Sequence, residues 1–261
     1  MAADGGLLIA YRLRTPESRG TSLVVATSGD GEQLETAIVL DKEKFGAESL
    51  ERPAVVRLDD GWRLYVSCAT PNTKHWRIDA LDAGSPADFA SATPRTVFAG
   101  DAPVGIKDPV IRRHRDVWHA WLCCHPLDQA GEEDRMSTAY ATSADGLSWK
   151  WSGEVLSGRP GCWDARGARV TSVLPDGRAS YDGRATKEEN FSERTGVAVP
   201  TEGRLVGTAD SPAANFRYLD LVRLRSGDYL AFFERPNDDG SHDLCMERIA
   251  AISLSAPRRR R

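Results

Sequence analysis

Charged residues recur at similar positions in four separate segments of the chain, each time close to the start of a short apolar run. Asp108 precedes the run that begins at Pro109, and Glu51 and Arg52 precede a comparable run. A buried charge is costly unless it is paired or used, so charges that converge in a fold usually mark a site. Carboxylates in such a site suggest acid–base chemistry, and cations suggest an anionic ligand. The residues predicted to converge are Glu51, Arg52, Lys107, Asp108, Asp164, Arg166, Arg169, Tyr218 and Asp220.

Two hairpin ends extend this set toward the rim of the site, with Asp182 and Arg184 in one and Glu234 in the other. Each residue also has a purely structural interpretation. Asp108, taken alone, is explained by capping of a strand or by a pair with Lys107 or an arginine. The repetition of charge at equivalent positions is what favours a functional interpretation.

A repeat positions these residues. The apolar runs start near Pro53, Pro109, Val170 and Leu219, at intervals of 56, 61 and 49 residues. Each run is followed by a turn and a second apolar strand. A period of this size in an all-β pattern is typical of a propeller with four-stranded blades.

A second repeated phrase supports the same period. The pattern Ala-Thr-Ser-x-Asp-Gly occurs at 26–31 and again at 141–146, a separation of 115 residues, or two periods. We therefore predict an all-β fold, a five-bladed β-propeller with a central channel. The first and last sheets each look one strand short, which predicts a ring closed by mixing N-terminal and C-terminal strands.

The propeller is predicted to occupy residues 1–256 as a single domain, followed by a basic tail at 257–261. The strongest helical alternative lies at 185–194. We predict a long loop there, because ten residues with poor apolar periodicity cannot support a stable helix.

Bulk properties exclude several classes of protein. The chain has 261 residues, 41% hydrophobic and 28% charged, and a net charge of −4, so no general attraction to nucleic acid or to a membrane surface is expected. The cysteines and histidines lack metal-ligand spacing, and we predict neither a metal nor another cofactor. The N-terminus lacks the pattern of a secretion signal and no run approaches membrane-spanning length, which predicts a cytoplasmic protein.

The chain contains seven tryptophans, whose rings could serve as platforms for a sugar. Those at strand positions are expected to pack between blades. Trp163 differs because it lies in a Gly-rich loop at 158–167, directly ahead of charged residues. It is the one tryptophan predicted to form a pocket wall.

Several of these phrases resemble five-bladed propeller glycosidases. The motifs are Asp108-Pro109 at a blade start, the Asp-Gly turn at 145–146 followed by Trp149, and the stretch from Arg52 to Ser67. Proteins of this kind include the arabinanase and β-xylosidase family, the invertase-like enzymes and the mannoside phosphorylases. The resemblance covers most of the chain as a repeat pattern, and it implies a small, sugar-containing ligand in the central channel.

The resemblance also implies three carboxylates at the channel mouth: a base or nucleophile, an orienting aspartate and a general acid. Glu51 stands at the first position, Asp108 at the second, and Asp164 is the one acid near the third. Hydrolysis needs one protonated and one ionised carboxyl, about 5–5.5 Å apart for retention or roughly 6.5–9.5 Å apart for inversion. Arg166 and Arg169 would favour the ionised form of Asp164, which opposes a role as proton donor.

The cations leave two interpretations open, since they either bind an anionic sugar or phosphate or pair with the acids. Two functions follow. The first is a carbohydrate-active enzyme that acts on a glycoside or a glycosylated small molecule through carboxylate chemistry. The alternative is a divergent propeller that has lost hydrolysis and binds a metabolite or serves another step of small-molecule biosynthesis.

Overall fold

The computed structural model describes residues 2–3, 6–15 and 18–250, which form five antiparallel sheets and two short 3-10 helices. Segments rich in β-branched and aromatic residues form the strands, and Gly and Asp occupy many of the turns. The first sheet contains β1 (Ala2–Ala3), β2 (Gly6–Thr15), β3 (Ser18–Ser28) and β4 (Glu35–Asp41), and a 3-10 helix (Lys42–Phe45) follows it.

The remaining sheets follow in chain order with the same hairpin connectivity. The second sheet contains β5 (Leu50–Leu58), β6 (Gly61–Ala69), β7 (Trp76–Ala83) and β8 (Arg95–Phe98), with a 3-10 helix (Pro86–Ala90) before its last strand. The third contains β9 (Val104–His114), β10 (Val117–Pro126), β11 (Ser137–Ser143) and β12 (Lys150–Ser157). The fourth contains β13 (Gly167–Val173), β14 (Ala179–Arg184), β15 (Arg194–Thr201) and β16 (Arg204–Gly207), and the fifth contains β17 (Arg217–Arg223), β18 (Tyr229–Pro236) and β19 (His242–Ile249).

The five sheets are the blades of a β-propeller, as predicted. The first strands of neighbouring blades meet around the central channel. Lys107 of β9 reaches Glu51 of β5, and Arg169 of β13 reaches Asp108 of β9. The apolar repeat therefore brings residues from distant parts of the sequence to one axis.

The inner strands are irregular where the repeated charges lie. In β5 the pairing register shifts between Glu51 and Ala54. Asp108 in β9 and Tyr218 in β17 have positive φ angles of 51° and 56°. Bulges of this kind redirect side chains locally, which explains how charged positions meet at the channel while the same strands continue into apolar cores.

Within residues 2–3, 6–15 and 18–250, the ring does not close through the mixed sheet that the sequence predicted. Among the described residues, the first sheet draws only on N-terminal segments and the last sheet has three strands of its own. Side chains join the two blades instead. Arg12 lies 3.5 Å from Glu234, and Gly31 packs against Leu230 and Phe232.

The described residues give the first blade a shorter inner strand than the other blades have. In β5, Glu51 lies at the charged end of the channel and Val55 lies nearer the opposite end. β2 runs in the opposite direction, so its later residue Arg14 lies at the charged end. This reversed direction places β2 second in its blade. Among the described residues, the inner position holds β1, two residues that pair with the start of β2.

Some strand tryptophans pack between blades, as predicted, whereas Trp151 is exposed and Trp76 and Trp121 line cavities. Trp62 and Trp118 are buried in apolar clusters that join residues of neighbouring blades. Trp163 is also buried, and its ring stacks on Tyr181 with 5.6 Å between the ring centroids. The predicted pocket wall is therefore part of the core between the third and fourth blades.

Close packing around Trp163 leaves no space for a side chain at Gly196. A Cβ at this position would lie 2.7 Å from the Trp163 ring and 2.8 Å from the Tyr181 ring. We expect Gly196→Ala to lower the free energy of unfolding by about 1–3 kcal/mol, measured by urea denaturation. Gly29→Ala is the matched control, because a Cβ there meets no atom within 4 Å. Equal stabilities of the two variants would contradict this account of the packing.

The segment at 185–194 contains turns and bends before β15 begins, and it forms no helix, as predicted. No helix in the described part of the chain is long and apolar enough to cross a membrane. Within the same residues, no group of three or more His, Cys, Asp or Glu side chains could hold a metal ion. The predicted basic tail at 257–261 lies outside the described residues.

Candidate functional site

The central channel holds two cavities, one toward each end. The first, here called the charged cavity, has a volume of about 690 Å³ and is lined by the starts of the inner strands, the end of β2 and adjoining loops. Its lining contains more cations than carboxylates. The nine cations are Arg12, Arg14, Lys42, Lys74, Lys107, Arg169, Arg184, Lys187 and Arg217. The five carboxylates are Glu48, Glu51, Glu133, Asp134 and Glu193.

Lys107 connects two of the predicted catalytic acids. Its Nζ lies 2.7 Å from Glu51 Oε2 and 4.0 Å from Asp108 Oδ2, and Arg12 lies 3.4 Å from the other Glu51 oxygen. Burial alone would raise the pKa of Glu51, but Lys107 and Arg12 outweigh burial and hold this pKa well below its ordinary value. Glu51 is therefore ionised and paired at neutral pH.

Arg169 forms the buried centre of the site. Its Nη1 donates to Asp108 Oδ2 at 2.7 Å, and its Nη2 donates to Asp182 Oδ2 at 2.8 Å. Both aspartate side chains are 0% exposed. Burial raises the pKa of Asp182, and Arg169 offsets part of that effect. Carboxylates at this depth need a cation, and Arg169 supplies one to both.

A series of ion pairs continues around the cavity wall. Arg12 lies 3.5 Å from Glu234, and Glu234 accepts a hydrogen bond from Arg217 at 3.0 Å. Glu193 accepts hydrogen bonds from Arg217 at 2.9 Å and from Arg184 at 2.6 Å. Burial alone would raise the pKa of Glu193, but the surrounding arginines lower it to about 2. Acids and bases therefore alternate, and Glu193 is ionised.

Tyr218 lies at the boundary between the two cavities and lines both. The guanidinium carbons of four arginines lie 4.0–5.6 Å from the centroid of its ring, a range in which cations are attracted to an aromatic face. Burial raises the pKa of Tyr218 to about 12, so its hydroxyl stays protonated at neutral pH. The four arginines are Arg12, Arg52, Arg169 and Arg217.

Three cations of the charged cavity have no paired acid. Arg14, Lys42 and Lys74 form no ion pair within 4.0 Å in the described part of the chain. Arg14 lies over Phe191, with its guanidinium carbon 5.5 Å from the ring centroid. Burial and the neighbouring Arg12 lower the pKa of Arg14, because nearby acids do not fully compensate its charge. A bound anion would provide that compensation.

Neutral groups complete the lining. Trp76 is half-buried, and its ring centroid lies 4.8 Å from Lys107 Nζ. The side-chain amide of Asn190 has no hydrogen-bond partner among the described residues. Burial and Lys107 lower the pKa of His125 to about 3, so His125 is neutral, and its Nδ1 lies 2.8 Å from the Glu133 carbonyl oxygen. An aromatic ring can pack against the apolar face of a sugar, and unpaired polar groups beside it can form hydrogen bonds with the sugar hydroxyls.

The structure brings a group of the predicted residues into the lining of the charged cavity: Glu51, Lys107, Arg169, Arg184 and Tyr218. Asp108 and Asp182 lie beneath this lining, where both bind Arg169. Arg52, Asp220 and Glu234 line the other cavity. The predicted convergence therefore divides between the two ends of the channel.

The third predicted catalytic acid, Asp164, is not among the residues that line either cavity. It accepts hydrogen bonds from Arg159 Nε at 2.9 Å and from the Tyr181 hydroxyl at 2.7 Å. Trp163 packs in the core. Arg166 pairs with Glu132 and Asp134, which lie in the loop between β10 and β11. The loop before β13 turns toward β14 and the end of β16, which separates these residues from the channel.

Sequence reasoning missed eight residues that the site uses: Arg12, Arg14, Lys42, Lys74, Trp76, Asn190, Glu193 and Arg217. Arg217 is adjacent in sequence to Tyr218, a predicted site residue, and this adjacency could have indicated Arg217 as well. Trp76 lies at a strand position, where the sequence pattern predicts packing between blades rather than a place in the site. Glu193 lies in an irregular loop that carries no periodic pattern.

No protein-family model matches this chain, and no curated protein sequence matches it. Solved structures do. The β-1,2-mannobiose phosphorylase from Listeria innocua is 14% identical with a TM-score of 0.63, and the match covers 89% of this chain and 68% of that chain.

Two further structures show the same likeness. One comes from work on the GH130 family of mannoside phosphorylases, which contains glycoside hydrolases that target β-1,2 mannosidic linkages in Candida mannan. It matches with a TM-score of 0.71 and 14% identity over 98% of this chain and 84% of that chain. The GH32 β-fructofuranosidase BmSUC1 from Bombyx mori matches with a TM-score of 0.63 and 12% identity over 93% of this chain and 57% of that chain.

Sequence identities this low establish a likeness of fold and not of activity. The predicted resemblance to glycosidase-like propellers is thus confirmed for the fold. The chain has the five-bladed architecture that these mannoside phosphorylase and β-fructofuranosidase structures also have.

Proposed function

We propose that the charged cavity binds an anionic sugar, meaning a sugar that carries a carboxylate or a phosphate. The observation that carries this proposal is that Arg14, Lys42 and Lys74 line the cavity without an ion-pair partner in the described part of the chain, while the acids at its centre are already paired. Such cations form charge-assisted hydrogen bonds with carboxylates and phosphates. A volume of about 690 Å³ is in the range of small-molecule sites.

Two neutral residues support a sugar as the rest of the ligand. Trp76 offers an aromatic face. Asn190 offers an amide that can donate hydrogen bonds to sugar hydroxyls and accept hydrogen bonds from them. The fold shared with carbohydrate-active propellers supports a sugar over other anionic metabolites by analogy.

The paired acids support binding without hydrolysis. Glycoside hydrolysis requires a carboxyl that is protonated near neutral pH. Lys107 and Arg12 hold Glu51 in its ionised form, and Asp164 bonds to Arg159 away from the channel. The metabolite-binding alternative therefore fits this site better than hydrolysis through Glu51, Asp108 and Asp164.

A second candidate function, turnover of the bound sugar, is supported by one feature of Asp108. Its Oδ1 is buried and has no hydrogen-bond partner among the described residues, while Oδ2 binds Arg169. If a ligand displaces the lining above Asp108, this uncommitted carboxylate oxygen could accept a proton from that ligand. If this candidate is correct, Asp108→Asn abolishes cleavage of aryl glycosides while the fold is retained. An Asp108→Asn variant as active as the wild type would exclude it.

Isothermal titration calorimetry with matched sugars tests the binding proposal. Glucuronate is compared with glucose, and mannose 1-phosphate with mannose. We expect the anionic member of at least one pair to bind about tenfold or more tightly than its neutral partner, the effect of one good charged hydrogen bond. Arg14→Gln should remove most of this preference and leave the affinity for the neutral sugar unchanged.

Arg248→Gln is the control variant, because Arg248 is 61% exposed and lies in a pair on the outer part of a blade. It should not alter either affinity. Equal binding of anionic and neutral sugars by the wild type, or a full preference retained in Arg14→Gln, would contradict the proposal.

A further inference from the structure

The other end of the channel holds a second cavity, of about 720 Å³, here called the apolar cavity. Apolar side chains line much of it: Ile9, Val55, Ile111, Trp121, Val173 and Phe232. Among the described residues, Arg12 and Tyr218 alone line both cavities. The apolar cavity is therefore a separate volume with its own lining.

One wall of the apolar cavity is a strand edge without a partner strand. β2 pairs with β3 on one side, and on its channel side β1 pairs with Gly6 and Leu7. From Ile9 to Leu13, the channel side of β2 has no strand partner within residues 2–3, 6–15 and 18–250. The other four blades each have a full first strand at this position, 7 to 11 residues long. Among the described residues, the first blade thus has no counterpart to most of this strand beside the apolar cavity.

The backbone groups of such an edge form a template for another strand. An added segment of about five residues would extend roughly 17 Å, which matches the length of the free edge. Apolar side chains of the segment would contact the apolar lining, and its backbone would bond to β2. The cavity therefore offers both the backbone hydrogen bonds and the side-chain contacts that addition of a strand requires.

The deep end of the apolar cavity favours a carboxylate. Arg52 donates through Nη2 to the carbonyl of Thr171, but its Nη1 is buried without a hydrogen-bond partner among the described residues. Its guanidinium carbon lies 5.6 Å from the centroid of the Tyr218 ring, at the wall between the cavities. The nearby Asp220 already pairs with Arg112 at 3.2 Å. A terminal carboxylate that reached Arg52 would supply the missing acceptor.

We propose that the apolar cavity is a docking site for the C-terminal end of an extended, apolar peptide. The peptide adds as a strand to the free edge of β2 and places its carboxylate at Arg52. Because β2 starts in the apolar cavity and ends at the charged one, a peptide that enters from the apolar end runs parallel to β2. This site goes beyond the proposed sugar binding and does not depend on it, since the cavity and the recognising arginine are different.

The test uses the whole chain and four probes, each titrated by calorimetry. The first probe is an acetylated pentapeptide of alternating valine and serine with a free carboxylate. The others are its C-terminal amide, the same acid with alternate backbone nitrogens methylated, and octanoate. We expect the acid to bind with one-to-one stoichiometry and the amide about tenfold more weakly. The methylated peptide and octanoate should each bind at least about tenfold more weakly than the acid, because neither can form the full strand ladder.

Arg52→Gln should reduce the affinity for the acid to that for the amide and leave the amide unchanged. Hydrogen exchange provides a second readout, since the acid peptide should slow exchange of backbone amides within residues 9–13. Glucuronate titrations of the same protein report separately on the charged cavity, so failure of one proposal is distinguishable from failure of the other.

Four results would overturn the peptide site. Equal binding of the methylated and unmethylated peptides would exclude strand pairing. Octanoate that binds as tightly as the peptide would assign the cavity to amphipathic acids. Absence of peptide binding at about 1 mM would exclude the site. Unchanged hydrogen exchange at residues 9–13 with the peptide bound would show that the peptide does not pair with β2.

Discussion

Replacement of Arg169 by methionine is expected to lower the free energy of unfolding by about 3–5 kcal/mol, the range measured when one partner of a buried ion pair is removed. Arg169 donates to Asp108 and Asp182, and all three side chains are almost completely buried. Methionine keeps much of the side-chain volume but leaves two buried acids without this cation. Urea denaturation monitored by tryptophan fluorescence measures the change.

Arg235→Met is the matched control for this substitution. Arg235 pairs with Glu247 at 3.3 Å, but the two side chains are 57% and 60% exposed. Exposed pairs contribute little, so Arg235→Met should change the free energy of unfolding by less than about 1 kcal/mol. Similar effects of the two substitutions would show that Arg169 is not the centre of the buried network.

The second large effect is expected from acid. The pKa of Glu193 is about 2 in the folded chain and 4.5 as its ordinary value. A depressed pKa contributes stability that is present above the ordinary pKa and is lost as pH falls through the folded one. At about 1.4 kcal/mol per pKa unit, Glu193 alone should contribute about 3 kcal/mol of stability that disappears between about pH 5 and pH 2.

Glu193→Gln tests this assignment, because glutamine cannot titrate. The difference in free energy of unfolding between wild type and variant should shrink by about 3 kcal/mol as the pH falls over this range. Glu247→Gln, at the exposed pair with Arg235, should leave the pH dependence unaltered. If Glu193→Gln retains the whole acid sensitivity of the wild type, other groups must cause it.

The propeller could be predicted because its signals are local and repeated. Each blade carries its own turns and apolar runs, so an error in one segment did not alter the count of five. The closure could not be predicted in the same way, since it depends on Arg12 meeting Glu234 and on Gly31 packing against Leu230. These contacts join opposite ends of the chain and have no periodic signature.

The candidate site was predictable only where it follows the repeat. Lys107 and Arg169 occupy corresponding parts of neighbouring inner strands, and the structure brings both to the charged cavity. Asp164 precedes its strand in a loop, and the course of that loop depends on contacts with Arg159 and Tyr181 that the repeat does not specify. Glu193 could not be predicted either, because an irregular loop without a repeat pattern brings it into the charged cavity.

The pairing of charges was the decisive feature, and it lies beyond sequence patterns. Arginines near acids are compatible both with ligand binding and with internal ion pairs. The structure has both situations: Arg169 is committed to buried acids, whereas Arg14 remains without an acidic partner among the described residues. This difference depends on distances of a few ångströms between separate blades.

A crystal structure of the protein with glucuronate tests the central claim most directly. The account predicts that the sugar lies in the charged cavity, with its carboxylate within about 3 Å of the Arg14 guanidinium. Glucuronate bound in that cavity with its carboxylate directed to solvent, or bound only in the apolar cavity, would contradict the account.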